Sequence, residues 1–220
     1  MIRNWAAGVA AAAVATAAMV LSPASAAAAT PPVHAGTEIR VGNQICTLGY
    51  VLPGPDGKAE GVTAGHCGVV GDSVTDKNGT YLGYIADSLN DYNGDIARIR
   101  FNDLPGGSLT TWVPYQGKML PVLGSMTFAD VMQAQPVLCK VGRTTGESCG
   151  PLQGAPGKAQ VAFAAASDHG DSGGPVYALS SDGVYAVGIL FSGSGNSEAL
   201  SGATGIAQFA EQWGLTVASP

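Results

Sequence analysis

Gly170-Asp171-Ser172-Gly173-Gly174-Pro175, preceded far upstream by Thr63-Ala64-Gly65-His66-Cys67, is the part of the chain on which its reading turns. Glycines on both sides of Ser172 let the backbone take a tight turn that projects the hydroxyl and aims neighbouring amides inward. A serine hydroxyl becomes a nucleophile only with a base, a group that orients the base, and donors for the oxyanion that forms. His66 supplies an imidazole, the side chain that exchanges a proton near neutral pH. Asp95, opening Asp95-Ile96-Ala97-Arg98-Ile99, is the candidate orienting carboxylate, ahead of Asp87, Asp91 and Asp103. The amides of Gly170 and Ser172 are the candidate oxyanion donors. Taken singly, the hexapeptide also reads as a glycine-rich turn and His66 as a structural histidine. Their joint occurrence favours catalysis.

Around these motifs, short apolar runs alternate with turn signals, as in an all-β chain. Ile45–Leu52, Ala59–Ala64, Gly79–Ile85 and Ile96–Phe101 read as strands before the Pro- and Gly-containing stretch 104–123. Arg98 and Arg100 alternate with apolar residues, which places both on one face of a half-buried strand. After that stretch, Val137–Gly142, Ala159–Ala165, Pro175–Leu179 and Val184–Ser192 form a second set. Ile206–Trp213 has its apolar residues at helical spacing, with Ile206, Phe209, Ala210 and Trp213 on one side. Val131–Gln135 is too short to assign.

Composition agrees with this. Glycine occurs 32 times and proline 13 times, and charged residues are only 12% of the chain, which suits many strands and tight turns rather than a helical bundle or a disordered chain. The net charge of −6 lacks the basic footprint that nucleic acid requires. The N-terminus carries Arg3, then an uncharged Ala-rich run from Trp5 to Leu21, then Ser22-Pro23 and Ala24-Ser25-Ala26. This is the pattern of a cleaved signal peptide over residues 1–26, followed by a short leader, 27–37. A secreted protein without stable membrane association follows. In an oxidising compartment Cys46, Cys67, Cys139 and Cys149 are expected in disulfides, with three connectivities open. Zinc is disfavoured, because no C-x-x-C pair occurs and His34, His66 and His169 are scattered. Asn90–Asp95 reads as a turn, and no cofactor is called for.

Thr-Ala-Gly-His-Cys followed by Gly-Asp-Ser-Gly-Gly-Pro resembles the trypsin/chymotrypsin family of serine proteases. Cys139–Gly150, Phe191–Asn196 and Ile206–Val217 resemble its secreted bacterial branch, the streptogrisin and α-lytic protease relatives. The likeness spans about Arg40 to Val217. It implies two antiparallel six-stranded β-barrels, here 38–112 and 113–220, with a short C-terminal helix. It also implies bridges Cys46–Cys67 and Cys139–Cys149, and a triad of His66, Asp95 and Ser172 acting on a protein or peptide substrate, with the chain expected to be a monomer. Asp171 is expected to be buried against an internal cation, either Lys140 or Arg143, with Lys140 the closer positional match.

The same resemblance places the specificity pocket at Ala166 and Ser167, with Phe191, Ser192 and Gly193 as its wall. Ala166 at the floor carries no carboxylate, which argues for medium or large uncharged side chains before the scissile bond. Two departures stand out: Asp168 replaces the family's usual cysteine, and Phe191 aligns with a serine. These departures keep open a second reading, a catalytically silent protease fold used as a binding module. His169 is placed at the cleft rim.

Overall fold

The computed structural model describes residues 1–2, 31–157, 159–193 and 199–218. The signal-peptide reading therefore lies almost wholly outside the described residues, as do residues 194–196 of the wall segment.

Seven strands make the first sheet: β1 (Glu38–Val41), β2 (Gln44–Thr47), β3 (Tyr50–Pro53), β4 (Ala59–Thr63), β5 (Ser73–Asp76), β6 (Tyr81–Asp91) and β7 (Gly94–Phe101). They run β2-β1-β5-β6-β7-β4-β3, a curled half-barrel without ring closure. Within β7, Arg98 and Arg100 do share a face, and both reach the buried Glu60 of β4 at 3.1 Å. Asp91 turns the chain from β6 into β7 by accepting from the amide of Asn93 at 2.7 Å.

The second sheet contains β8 (Trp112–Tyr115), β9 (Lys118–Ser125), β10 (Val137–Gly142), β11 (Gly146–Gly157), β12 (Gln160–Phe163), β13 (Pro175–Leu179), β14 (Val184–Gly193) and β15 (Ser201–Gly205). Pairing of β13 with β14 closes a six-stranded ring, β13-β10-β11-β12-β15-β14. One junction departs from an antiparallel plan: β9 joins β14 in parallel, with Val184 opposite Val122. Two short helices complete the chain, α1 (Phe128–Ala134) and α2 (Ala207–Trp213), where the sequence indicated only the second. Thr127 starts α1 by a reciprocal capping box with Asp130.

Two apolar clusters hold the fold. One fills the closed barrel with Leu138, Val161, Phe163, Val176 and Leu190. The other runs across both sheets, joining Leu48, Tyr50, Val62 and Ile96 to Tyr177, Ile189 and Ile206. Tyr50 pins this seam, its hydroxyl donating to Val176 O at 2.6 Å. Burial holds the Tyr50 phenol neutral far above its ordinary range, so the bond stays a donor–acceptor pair.

Candidate active site

His66 sits in a single 3-10 turn, Gly65–Cys67, just after β4. A disulfide from Cys67 to Cys46 ties that turn to β2. Ser88 steadies it from β6, its hydroxyl hydrogen-bonded to Gly65 O and Gly68 O at 3.1 and 2.9 Å. Asp95 is the second residue of β7 and is 9% exposed. Its Oδ2 accepts from His66 Nδ1 at 2.6 Å, and its Oδ1 accepts from the His66 amide at 2.8 Å. Two contacts from one carboxylate fix both the ring and the backbone that carries it. With the Nδ1 proton committed to Asp95, the other ring nitrogen of a neutral His66 is left as an acceptor. The Asp95 amide in turn donates to Thr204 Oγ1 at 3.0 Å, so β15 of the second sheet positions an acid of the first.

Ser172 lines the same cleft as His66, a cavity of about 750 Å³ between the two sheets. Among the described residues no hydrogen bond joins the imidazole to Ser172 Oγ; such contacts are often long in an empty site and tighten around substrate. The loop carrying Ser172 is held by its backbone. Gly173 donates to Leu190 O at 2.7 Å, Gly174 to Asp171 O at 3.0 Å, and Asp171 to Asp168 O at 3.0 Å. Thr47 of β2 grips it from the other side, donating its amide to Ser172 O at 2.7 Å and its hydroxyl to Gly170 O at 2.8 Å. Gly173 has φ +90°, and a side chain there would collide with Thr63 Oγ1 and Thr47 O, so only glycine fits. The amides of Gly170 and Ser172, by contrast, donate to no acceptor among the described residues. They are two unused donors beside a serine hydroxyl.

Asp171 is fully buried and takes the side chain of Lys140, also fully buried, at 3.1 Å. Arg143 does not contact it, which decides between the two cations left open by the sequence. Thr145 Oγ1 at 2.6 Å and the amides of Thr144, Thr145 and Asp168 at 2.7, 3.1 and 3.1 Å complete the set. Burial acts to raise the Asp171 carboxyl, but these hydrogen bonds and the charge of Lys140 outweigh it and hold it below the ordinary carboxylate range. Burial pulls the Lys140 ammonium down, against the attraction of Asp171. The hairpin β10–β11 that carries Lys140, Thr144 and Thr145 is cross-linked by Cys139–Cys149.

The pocket residues are close together. Ser167 is buried and hydrogen-bonded to Ser201 Oγ at 2.7 Å. Its hydroxyl lies so near Gly193 that any side chain at that glycine would run into it. Phe191 is half-buried with its ring over Gly202, while Ser192 and Ala166 are exposed. In place of a cysteine bridge, Ala166 O accepts from Ser148 Oγ at 2.7 Å. His169 is exposed at the cleft rim, its carbonyl accepting from Thr144 Oγ1 at 2.7 Å. Cys46, His66 and Cys67 also converge, but their two sulfurs are bonded to each other and offer no thiolate to a metal. Sequence reasoning missed Thr47 and Thr204, whose isolated hydroxyls carry no motif, and assigned no role to Thr144 and Thr145 within Cys139–Gly150.

No protein-family model matches the chain. It is 32% identical over 194 residues to the uncharacterized protein Rv1815 of Mycobacterium tuberculosis, an alignment covering 79% of this chain and 78% of that one. Its structure is similar to Thermobifida fusca protease A, with a TM-score of 0.70 and 25% identity over 86% of this chain and 100% of the other. It is likewise similar to a Nocardiopsis protease, with a TM-score of 0.70, 27% identity and the same coverage. The fold, the cleft and these likenesses agree: the chain has the chymotrypsin-like fold of bacterial serine proteases and is similar to members of that branch.

Proposed function

We propose that the protein is a secreted serine endopeptidase that uses His66, Asp95 and Ser172 as its triad, with residues 38–112 supplying the acid and base and 113–220 the nucleophile. The observation that carries this reading is the two-point contact of Asp95 with His66, in a cleft where Ser172 and two unused amides meet. In this mechanism His66 takes the Ser172 Oγ proton as the hydroxyl attacks the peptide carbonyl. The oxyanion is received by the amides of Gly170 and Ser172. The protonated imidazole gives its proton to the departing amine, leaving an acyl-enzyme. Water then releases the acyl group, with His66 again acting as base. The close approach of Ser167 to Gly193 narrows the slot, and Ala166 brings no charge. Small uncharged side chains before the scissile bond fit it best.

That same narrowing favours the second reading, a binding module that keeps the protease fold without turnover. Fluorophosphonate labelling of the purified, oxidised protein beside Ser172→Ala separates the two. The expected result is labelling of the wild type alone, with the variant losing on the order of 10⁶ in rate. A folded wild-type protein that takes no label would overturn the endopeptidase reading.

A further inference from the structure

Arg143 is released from service to Asp171 by Lys140, and its surroundings are those of a substrate contact. A side chain at Gly170 would meet Arg143 Cδ at 2.9 Å and Nη1 at 3.3 Å, so the Arg143 side chain packs against Gly170, the residue that carries one of the two unused amides. The backbone of Arg143 is fixed, its amide donating to Thr47 Oγ1 at 3.0 Å, the hydroxyl that itself donates to Gly170 O. Its Nε is held at 3.0 Å by Glu38 Oε2, while Glu38 Oε1 takes Arg40 at 3.2 Å. One carboxylate thus serves two guanidinium groups and leaves the trio with a charge of 2 − 1 = +1. Nη1 makes a single long contact, 3.4 Å to Thr144 Oγ1, and Nη2 has no partner among the described residues. The Arg143 side chain is one-third exposed and lines the cleft with Asn43, Gln44 and Ile45.

The nucleophile loop is gripped between two walls, Thr47 on one flank and Leu190 on the other. Beyond Leu190 lies the slot between Ala166–Asp168 and Phe191–Gly193, which takes the acyl half of a peptide. The departing half is therefore directed along the Thr47 flank, past Ile45 and Arg143. We infer that Arg143 is a specificity-determining residue that selects a carboxylate just beyond the scissile bond. This rests on the endopeptidase reading. Among the described residues Glu38 is the acid in ion-pair contact with the guanidinium, and it is already shared with Arg40.

The test uses quenched peptides with one acyl half and amidated ends, carrying Glu or Gln in the first positions after the scissile bond. A parallel set has neutral side chains and a free C-terminal carboxylate. Rates are expressed per fluorophosphonate-titrated Ser172, for wild type, Arg143→Gln and Arg143→Lys. The expected preference for Glu over Gln is about two- to five-fold in kcat/KM, the effect of one exposed ion pair. It should reside in KM, weaken in salt, vanish in Arg143→Gln and survive in part in Arg143→Lys. A preference confined to the free-acid peptides would support the same inference with the chain end as the carboxylate. Equal rates across all sets in the wild type, or a preference that persists in Arg143→Gln, would overturn it. Absence of titratable Ser172 would instead overturn the endopeptidase reading itself.

Discussion

The two flanks of Ser172 are built to different standards. On the hairpin side, β10 and β11 are cross-linked by Cys139–Cys149 and reach Asp171 with Lys140, the Thr145 hydroxyl and the amides of Thr144 and Thr145. On the wall side, β14 ends in exposed Ser192 and Gly193, and the facing loop is held mainly by hydroxyl contacts such as Ser148 to Ala166 O. A reaction of fixed geometry needs the first kind of support, because misplaced oxyanion donors forfeit most of their effect. Selection among side chains tolerates the second, since the energetic differences at stake are small.

Lys140→Met attacks the better-built flank most directly. It leaves Asp171 as a buried charge without its cation, and about 3–5 kcal/mol of stability should be lost, with fluorophosphonate labelling lost alongside. Urea unfolding and labelling read both; Lys140→Met combined with Asp171→Asn should regain part of the stability but not the labelling. Unchanged labelling in Lys140→Met would erase the contrast between the flanks. Replacing Cys139 and Cys149 together by serine should cost about 2–4 kcal/mol, read from the thermal midpoint, and should slow turnover more than it alters the choice of substrate. Acid titration probes Asp171 itself. Its folded-state carboxyl lies below the unfolded value, so its contribution is complete above about pH 4 and disappears as pH falls through the lower, folded value. Asp171→Asn should flatten that part of the stability–pH curve. The smallest effect belongs to the wall: Ser167→Gly should open the slot and shift preference toward larger apolar residues by roughly tenfold in kcat/KM, with little change in stability. A loss of labelling there would mean that the wall, too, supports the chemistry.

Local pattern carried much of the fold. Pro175–Leu179 is one strand in sequence and in structure, and the alternation around Arg98 and Arg100 sets their common face. What escaped was decided by distant contacts. The apolar run Ile45–Leu52 reads as a single strand, yet the chain breaks between β2 and β3 at Gly49. That glycine is pressed against Ile189, Gly173 O and Val62 O, partners separated from it by up to most of the chain. The parallel junction of β9 with β14 is equally invisible to local pattern. Helix α1 was legible in principle, because Thr127 and Asp130 form a capping box, but its single short turn of apolar residues gave no periodicity. At the site, the motifs drew attention to His66, Asp95 and Ser172, and the structure brings the first two into contact and sets the third on the same cleft. The hydroxyls that brace them could not be read. Lys140 is fully buried on β10, whereas Arg143 lies beyond the strand end, a difference that the packing shows and local pattern does not.

Thr47 has a consequence for the life of the chain. It is contributed by the early part of the sequence, yet it clamps Ser172 and Gly170, which come last but for a few strands. Thr204, later still, fixes the amide of Asp95. On the proposed reading, the order of synthesis is therefore the order of safety. A nascent polypeptide that stops short of β15 owns every reacting group but lacks the hydroxyl that fixes the Asp95 amide and the strand that joins β12 to β14. Competence would arrive only when that strand docks.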